Sequence, residues 1–255
     1  MPNLKYDADD ERLRQEHTSE AIQDRIQRGQ EHSYLRDGVL GGIDGAVTTF
    51  AVVCGVVGGQ LPGTVVILLG FANLFADGFS MAVGNFEGTK SERDLIDRAR
   101  EIERRHIERV PESEAEEIRE IYRQKGFDEE VIEDVVEVIT DDRELWIDTM
   151  VSEEWKLPLE TADPYRAGLV TFAAFSAAGL VPLVPYLFSA LEPSQMFLVS
   201  CIATGVTFAA IGLFKGRVTD VSMVKSGLST LLTGGGAAVV AYVVGYLLRG
   251  VVDKM

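Results

Sequence analysis

Long uncharged stretches alternate with charged segments along the chain. Four stretches contain no Asp, Glu, Lys or Arg, and they are residues 45–76, 167–191, 193–214 and 226–248. A helix needs about 20 apolar residues to cross a hydrocarbon core of about 30 Å, so each stretch is long enough to span a membrane. Leu61-Pro62-Gly63 is a turn signal that divides the first stretch in two. The pattern predicts five transmembrane helices, at about 38–59, 64–86, 166–188, 195–214 and 227–248.

The loops between these helices differ in positive charge. The connections at 60–63 and 189–194 contain no Lys or Arg, whereas the connection at 215–226 contains Lys215, Arg217 and Lys225. Cytoplasmic loops of membrane proteins are enriched in Lys and Arg. We therefore predict that the N-terminus, the segment after the second span and the 215–226 loop are cytoplasmic.

Acidic residues are concentrated between the second and third predicted spans. Residues 87–164 hold 26 acids and 12 bases, which accounts for most of the net charge of −16. An acidic surface repels nucleic acid and attracts cations, although adaptation to high salt explains the bulk charge equally well. The predicted domains are a polar cytoplasmic segment at 1–35, two spans in 36–86, an acidic cytoplasmic helical domain at 87–164 and three spans in 165–255.

Helix signals divide the acidic domain further. No Pro or Gly separates Gly88 from Pro111, so we expect the second span to continue into the cytoplasm as one helix. Ser113 is a candidate N-cap for a helix that Gly126 stops. Two more helices are predicted to begin near 128 and 141, and their apolar stripes need either the rest of the insert or a second copy of the chain as a partner. Residues 9–32 have few apolar anchors, and we expect them to lie on the membrane surface or to be disordered.

Polar side chains that could bind cations occur within the first two predicted spans. Asp37 and Asp44 are seven residues apart and share a helix face, as do Asn73, Asp77 and Met81. A charge at the centre of a span costs about 2.5–3.5 kcal/mol on insertion scales. Two helices joined by a tight turn lie side by side, so these groups could converge on a path for cations. Structural polar contacts at helix ends are the alternative, and they apply least to the deeper Asp44.

Small residues are frequent in the spans. Gly38, Gly41, Gly42 and Gly45 crowd the first span, and three glycines at 234–236 interrupt the last. Such residues allow either close helix packing or local unwinding around a site. The two cysteines, Cys54 and Cys201, show no CxxC or CxxH spacing, so we interpret them as packing residues.

Candidate metal ligands occur in the acidic domain. Glu103 and His106 form a Glu-x-x-His pair, the spacing that di-iron carboxylate bundles use. Glu114 and Glu117 repeat the spacing on the next predicted helix. The last candidate pair, one helical turn apart, is Met150 and Glu154. Oxygen and imidazole ligands suit iron, manganese or zinc, although a Glu-x-x-Glu in so acidic a stretch is more often solvated surface.

Two motifs resemble the vacuolar iron transporter family. Residues 36–53, RDGVLGGIDGAVTTFAVV, are similar to the first span of that family, DGxxGxxDGxxTxFAVV. Residues 76–85, ADGFSMAVGN, are similar to its second span, ADxxSMxxGxY, although Asn85-Phe86 stands where a tyrosine is usual. The similarity covers nearly the whole chain from residue 36 and includes the order of insert and spans.

The resemblance implies a homodimer whose translocation path lies between the subunits, lined by Asp44 and Met81. It implies exchange of cytosolic Fe²⁺ for protons, with acids at the membrane ends such as Asp37 assisting. It also implies a cytoplasmic domain that collects metal, and the matching positions are Glu103, Glu114, Glu117 and Glu154, with Met150 beside them. His106 stands at one glutamate position of the family, and Val151 stands where the resemblance implies a second adjacent methionine.

The sequence therefore predicts an all-α integral membrane transporter, not an enzyme, that exports Fe²⁺ from the cytosol by proton antiport. Mn²⁺ or Zn²⁺ are alternative substrates and bound ions, and no prosthetic group is expected. The alternatives are a membrane-anchored di-iron ferroxidase or ferritin-like protein, and a membrane-anchored metal sensor. Expected partners are metal ions, protons, membrane lipid and a second copy of the chain, with no nucleic acid. The acidic balance and the lack of an organellar signal predict a prokaryotic plasma membrane, with the vacuolar membrane as the alternative.

Overall fold

A computed structural model describes residues 11, 13–15, 17–28, 34–188, 191–218 and 221–252. These residues are mostly helical and include no β-strand, which confirms the all-α prediction. The chain divides into two units, residues 1–33 and residues 34–255. The first unit contains helix α1 (Ser19–Arg28). The rest of the segment predicted at 9–32 lies partly outside the described residues.

Five helices of the second unit are long and apolar enough to cross a membrane. They are α2 (Leu35–Gly58), α3 (Gly63–Arg109), α7 (Pro164–Leu180, extended by a 3₁₀ turn over Val181–Leu187), α8 (Pro193–Val218) and α9 (Met223–Val252). Each predicted span overlaps one of these helices along most of its length. The prediction of five helices long and apolar enough to span a membrane, in this order, is confirmed.

Helix α3 extends far beyond the second span. It is continuous for 47 residues, which corresponds to about 70 Å at 1.5 Å per residue, more than twice the hydrocarbon thickness. The predicted continuity of this helix is confirmed. It ends where Pro111, which lacks a backbone N–H, begins the next helix. One rigid element therefore joins the spans to the acidic insert.

Three shorter helices complete the insert: α4 (Pro111–Gln124), α5 (Glu129–Asp141) and α6 (Arg143–Glu153). The predicted N-cap at Ser113 is wrong, because α4 begins two residues earlier with Pro111, whose fixed φ suits the first helical position. Gly126 follows α4 with a φ of +90°, as expected of a helix-ending glycine. Asp142 caps α6, and its side chain accepts from the backbone N–H groups of Glu144 and Leu145.

The insert has an apolar core of its own. Every buried member of this core lies between residues 96 and 151, on α3, α4, α5 and α6. Ile118, Ile132 and Ile147, one from each short helix, are fully buried. A core confined to this segment indicates that a fragment spanning 87–160 can fold without the membrane part.

In the membrane part, α2 packs more extensively against α7 and α9 than against α3. Gly41 and Gly45 explain the close approach to α7, because a Cβ at either position would collide with the backbone of Thr171 or Phe175. Helix α9 runs without interruption through residues 234–236, so of the two alternatives left open for these glycines, local unwinding does not occur. A continuous helix keeps its backbone hydrogen bonds satisfied in lipid, and Gly234 instead makes room for the Phe208 ring. Close packing is thus the role of Gly41, Gly45 and Gly234, whereas nothing lies within 4 Å of a Cβ built at Gly235 or Gly236.

Replacing Gly45 with alanine should strongly destabilise the bundle. The added methyl would overlap the carbonyl of Phe175, and neither backbone can move cheaply. We expect a loss of about 1–3 kcal/mol, the usual cost of overpacking. Gly84→Ala is the matched control, because nothing lies within 4 Å of that position, and alanine there should gain up to about 1 kcal/mol in helix propensity. Equal thermal unfolding midpoints for the two variants in detergent would contradict this packing.

Candidate functional site

Three of the predicted ligands in the insert lie together. Glu103 and His106 project from α3, and Glu114 projects from α4, which folds back after Val110. One ligand atom from each residue lies within 4.8 Å of the others. Nδ1 of His106 is 3.2 Å from Oε1 of Glu114. We call Glu103, His106 and Glu114 the insert cluster.

The two carboxyl groups of the insert cluster are buried without full compensation. Glu103 is 1% exposed and Glu114 is 2% exposed. The Oε2 atoms of both are shielded from solvent and have no hydrogen-bond partner. Neither carboxyl forms an ion pair with a lysine or arginine of the described residues. Because an uncompensated buried carboxylate is costly, this environment favours a cation between the two groups.

The protonation of Glu114 reflects this environment. Burial raises the pKa of Glu114 to about 8, and the charges of Glu117 and Glu103 contribute to the rise. Glu114 therefore holds a proton at pH 7, and an incoming cation would have to displace it.

Glu117 and Glu154 lie at the exposed edge of the insert cluster. Partial burial raises the pKa of Glu154, and the charges of Glu103 and Glu117 contribute. These interactions bring four carboxyl groups into one region of the insert. Met150 is fully buried and packs in the apolar core beside Val151. Its observed role is packing, and its role as a sulfur ligand stays a prediction.

A contact that the sequence did not predict orients Glu103. Nε1 of Trp155 donates a hydrogen bond to Oε1 of Glu103, at 2.7 Å. The other oxygen of Glu103, Oε2, is shielded from solvent and has no hydrogen-bond partner. The position of Trp155, directly after Glu154 at the end of α6, was a usable signal, since an indole N–H near buried surface normally finds an acceptor.

Other acids of the insert are paired with arginines. Nε of Arg119 lies 2.7 Å from Oε1 of Glu133, and Nε of Arg123 lies 2.8 Å from Oε1 of Glu129. Both pairs join α4 to α5. The interpretation as solvated acidic surface therefore applies to these exposed residues. It does not describe the insert cluster, whose carboxyl groups are buried and lack such partners.

Asp37, in the first span, takes part in hydrogen bonds that join neighbouring helices. It is buried and accepts a hydrogen bond from Nδ2 of Asn85 at 2.9 Å. The same amide lies 2.8 Å from Oγ1 of Thr171 and 3.2 Å from the carbonyl oxygen of Ala167. Asn85 thus joins α3 to α2 and α7. No pattern in the sequence predicts these contacts.

Asp44 is half-buried and lines a cavity of about 530 Å³. The walls are mainly apolar residues of α2, with Lys215 of α8 and Thr233 of α9. The carboxyl group of Asp77 is close enough to interact electrostatically with that of Asp44. Met81 and Asn73 are half-buried but do not line this cavity. Their convergence with Asp44 on one path stays a prediction.

Comparison with known proteins agrees with this arrangement. The model of the VIT family matches residues 35–246. The chain is 34% identical to a vacuolar iron transporter of Toxoplasma gondii, over 86% of this chain and 76% of the relative. It is 30% identical to a vacuolar iron transporter of Plasmodium falciparum (89% and 88%) and 33% identical to vacuolar iron transporter 1 of Tulipa gesneriana (85% and 88%). The chain belongs to the VIT family and is an integral membrane protein of metal ion transport.

Proposed function

We propose that this protein exports Fe²⁺, or a similar ion such as Mn²⁺, from the cytosol in exchange for protons. The observation that supports this most directly is the insert cluster, where two buried carboxyl oxygens lack partners. Carboxylate and imidazole ligands suit these ions. The printed names of the relatives refer to iron transport, and we extend that substrate to this chain.

In this proposal the insert is cytoplasmic and collects the metal. The insert cluster binds the ion first, with Glu117 and Glu154 at its exposed edge. Binding displaces the proton of Glu114, so uptake by the insert and proton release are coupled. Helix α3 carries both Glu103 and the second-span residue Met81, which gives the two sites a rigid connection.

The transport path in this proposal runs past Asp44. An ionisable residue within a span marks an ion pathway more often than a packing site. Asp77, which interacts with Asp44, and Met81 are proposed to contribute from α3. The path would lie between two copies of the chain, because Asp44 is only half-buried in one copy. Asp37 is proposed to assist at the membrane end.

The two alternative functions are a di-iron ferroxidase and a membrane-anchored metal sensor. A ferroxidase of the di-iron type uses two Glu-x-x-His pairs, and the insert offers one. A membrane-anchored sensor needs no carboxylate in its spans, whereas this chain carries Asp44 within α2. Both are less favoured, since the relatives are named as transporters. Which membrane contains the protein stays a prediction. The excess of acidic residues favours a prokaryotic plasma membrane, whereas the relatives' names refer to a vacuole.

Transport into liposomes tests the proposal. The full chain is reconstituted, and uptake of Fe²⁺, Mn²⁺ and Zn²⁺ is followed with and without a pH gradient, alongside a proton-sensitive dye. We expect Fe²⁺ or Mn²⁺ flux that a pH gradient of the correct sign accelerates, with proton movement in the opposite direction. Metal flux that neither responds to a pH gradient nor moves protons would contradict antiport. No flux of any of these ions would contradict transport itself.

His106→Ala should weaken metal binding by the insert. The imidazole lies 3.2 Å from Glu114 and is partly exposed, so its loss removes a ligand without disturbing the core. We expect an affinity for Fe²⁺ or Mn²⁺ about tenfold lower, equivalent to about 1.4 kcal/mol. Calorimetric titration of fragment 87–160 measures this, and His106→Glu, which restores the family's residue, should retain binding. Equal affinities for the wild type and His106→Ala at pH 7 would make His106 a surface residue.

A further inference from the structure

A second cavity lies among α2, α8 and α9, in the half of the bundle away from Asp37. Its volume is about 480 Å³, and most of its lining is apolar or aromatic. Both cysteines of the chain, Cys54 on α2 and Cys201 on α8, line it as well. Cys54 lies one turn before the end of α2 at Gly58.

The two thiols are accompanied by hydroxyl groups without partners. Thr204, three residues after Cys201 on α8, lines the same cavity, is fully buried and has no hydrogen-bond partner at Oγ1. Tyr186 packs in the same cluster of buried residues, and its hydroxyl is also shielded and unpaired. Cys54, Cys201 and Tyr186 are close enough to interact electrostatically. Both cysteines are free thiols. A hydroxyl buried without a partner points to a ligand at this position.

The chemistry of these donors differs from that of the insert cluster. Sulfur ligands select soft cations, whereas the carboxylates and imidazole of the insert suit iron and manganese. Charge also decides which soft cation fits. A divalent ion held by two thiolates forms a neutral unit, and a neutral unit is the form that an apolar cavity within a membrane tolerates best.

We propose that Cys54 and Cys201, with the hydroxyl of Thr204, form a binding site for one divalent thiophilic cation of the Cd²⁺ and Hg²⁺ class. When the ion binds, two metal–sulfur bonds form and two thiol protons leave to solvent, so that no oxidant or reductant is needed. The ion would join α2 to α8. Since Asp44 lies on the same helix as Cys54, occupancy would restrict α2 and slow transport. The binding site itself does not depend on the proposed iron path.

Protection of the thiols from labelling tests the site. The full chain in lipid nanodiscs is treated with methyl methanethiosulfonate, with and without Cd²⁺, and each cysteine is followed by mass spectrometry. We expect Cd²⁺ to slow the labelling of both cysteines at least tenfold, and Mg²⁺ to have no effect. In Cys54→Ser and in Cys201→Ser, the remaining cysteine should need at least tenfold more Cd²⁺ for the same protection. The insert variant Glu103→Gln should leave the protection unchanged.

Two results with Cd²⁺ and one with Hg²⁺ would overturn the proposal. If the remaining cysteine of either variant is protected at the original Cd²⁺ concentration, then the two sulfurs do not share an ion. If Cd²⁺ protects neither cysteine of the wild type, then there is no site. A titration of the wild type with Hg²⁺ needs no variant: one ion per chain should remove both free thiols without cross-linking chains. A requirement for two ions per chain would overturn the shared site.

Discussion

Replacing Asp44 with alanine should abolish metal transport and leave the protein folded. The carboxylate is half-buried beside an apolar cavity of about 530 Å³, within a span where charges are costly. Removing it should not destabilise the helix, since alanine is the best helix former. In the proposed path, however, the other first-span acid, Asp37, cannot replace it, because Asp37 lies two helical turns away and accepts a hydrogen bond from Asn85. We expect the flux of Fe²⁺ to fall at least about 100-fold, the factor that a contact worth about 2.7 kcal/mol supplies.

Thr48→Val is the matched control for Asp44→Ala. Thr48 lies one turn further along α2, is also half-buried, and its hydroxyl donates to the backbone carbonyl of Asp44 at 2.9 Å. This substitution removes a polar group from the same region without removing a charge, and transport should stay near that of the wild type. Wild-type flux in liposomes that contain correctly folded Asp44→Ala protein would contradict the proposed path.

Met81→Leu keeps the volume of the side chain and removes the sulfur, so it should slow transport without preventing assembly.

Much of the fold could be predicted because it depends on local properties of the chain. Uncharged stretches long enough to cross a membrane predicted five spans, and the lack of Pro or Gly between Gly88 and Pro111 predicted one long helix. The error at Ser113 arose because a local signal had two physical uses. Ser113 is a good cap, but a proline two residues earlier already supplies the first helical position. The role of the glycines at 234–236 stayed open for the same reason, because such residues can unwind a helix or admit a neighbour, and the structure places the Phe208 ring against Gly234.

The insert cluster was predictable in part for the same reason. Glu103 and His106 share a helix face through their spacing alone, whereas the approach of Glu114 depends on the turn at Val110. The hydrogen bonds of Trp155 to Glu103 and of Asn85 to Asp37 join residues about 50 positions apart in the chain. Such contacts follow from how helices pack, which no local pattern specifies. The raised pKa of Glu114 could not be predicted either, because the burial that causes it is a property of the folded insert.

Glu114→Gln should have opposite effects on metal binding and on stability. With its pKa near 8 in the folded insert, against 4.5 ordinarily, Glu114 holds a proton at pH 7 that the unfolded chain does not hold. The folded state therefore binds more protons between about pH 4.5 and pH 8, and the free energy of unfolding falls as the pH rises through this window. Glutamine cannot ionise, so at pH 8 the variant should be more stable than the wild type by at least about 1 kcal/mol. Thermal unfolding of fragment 87–160 at pH 5, 6.5 and 8 measures this.

The same substitution should weaken metal binding at least about tenfold, since a neutral amide replaces an anionic ligand, a loss of about 1.4 kcal/mol or more. In the wild type, ion binding near pH 7 should release about one proton from Glu114, and affinity should fall as the pH is lowered below about 8. Glutamine should remove that proton release, which calorimetry in buffers of different ionisation enthalpy detects. Glu130→Gln, on the exposed surface of α5, is the matched control and should alter neither property. If Glu114→Gln binds metal as tightly as the wild type and releases the same number of protons, then Glu114 is not a ligand and the buried carboxyl groups of the insert serve another purpose.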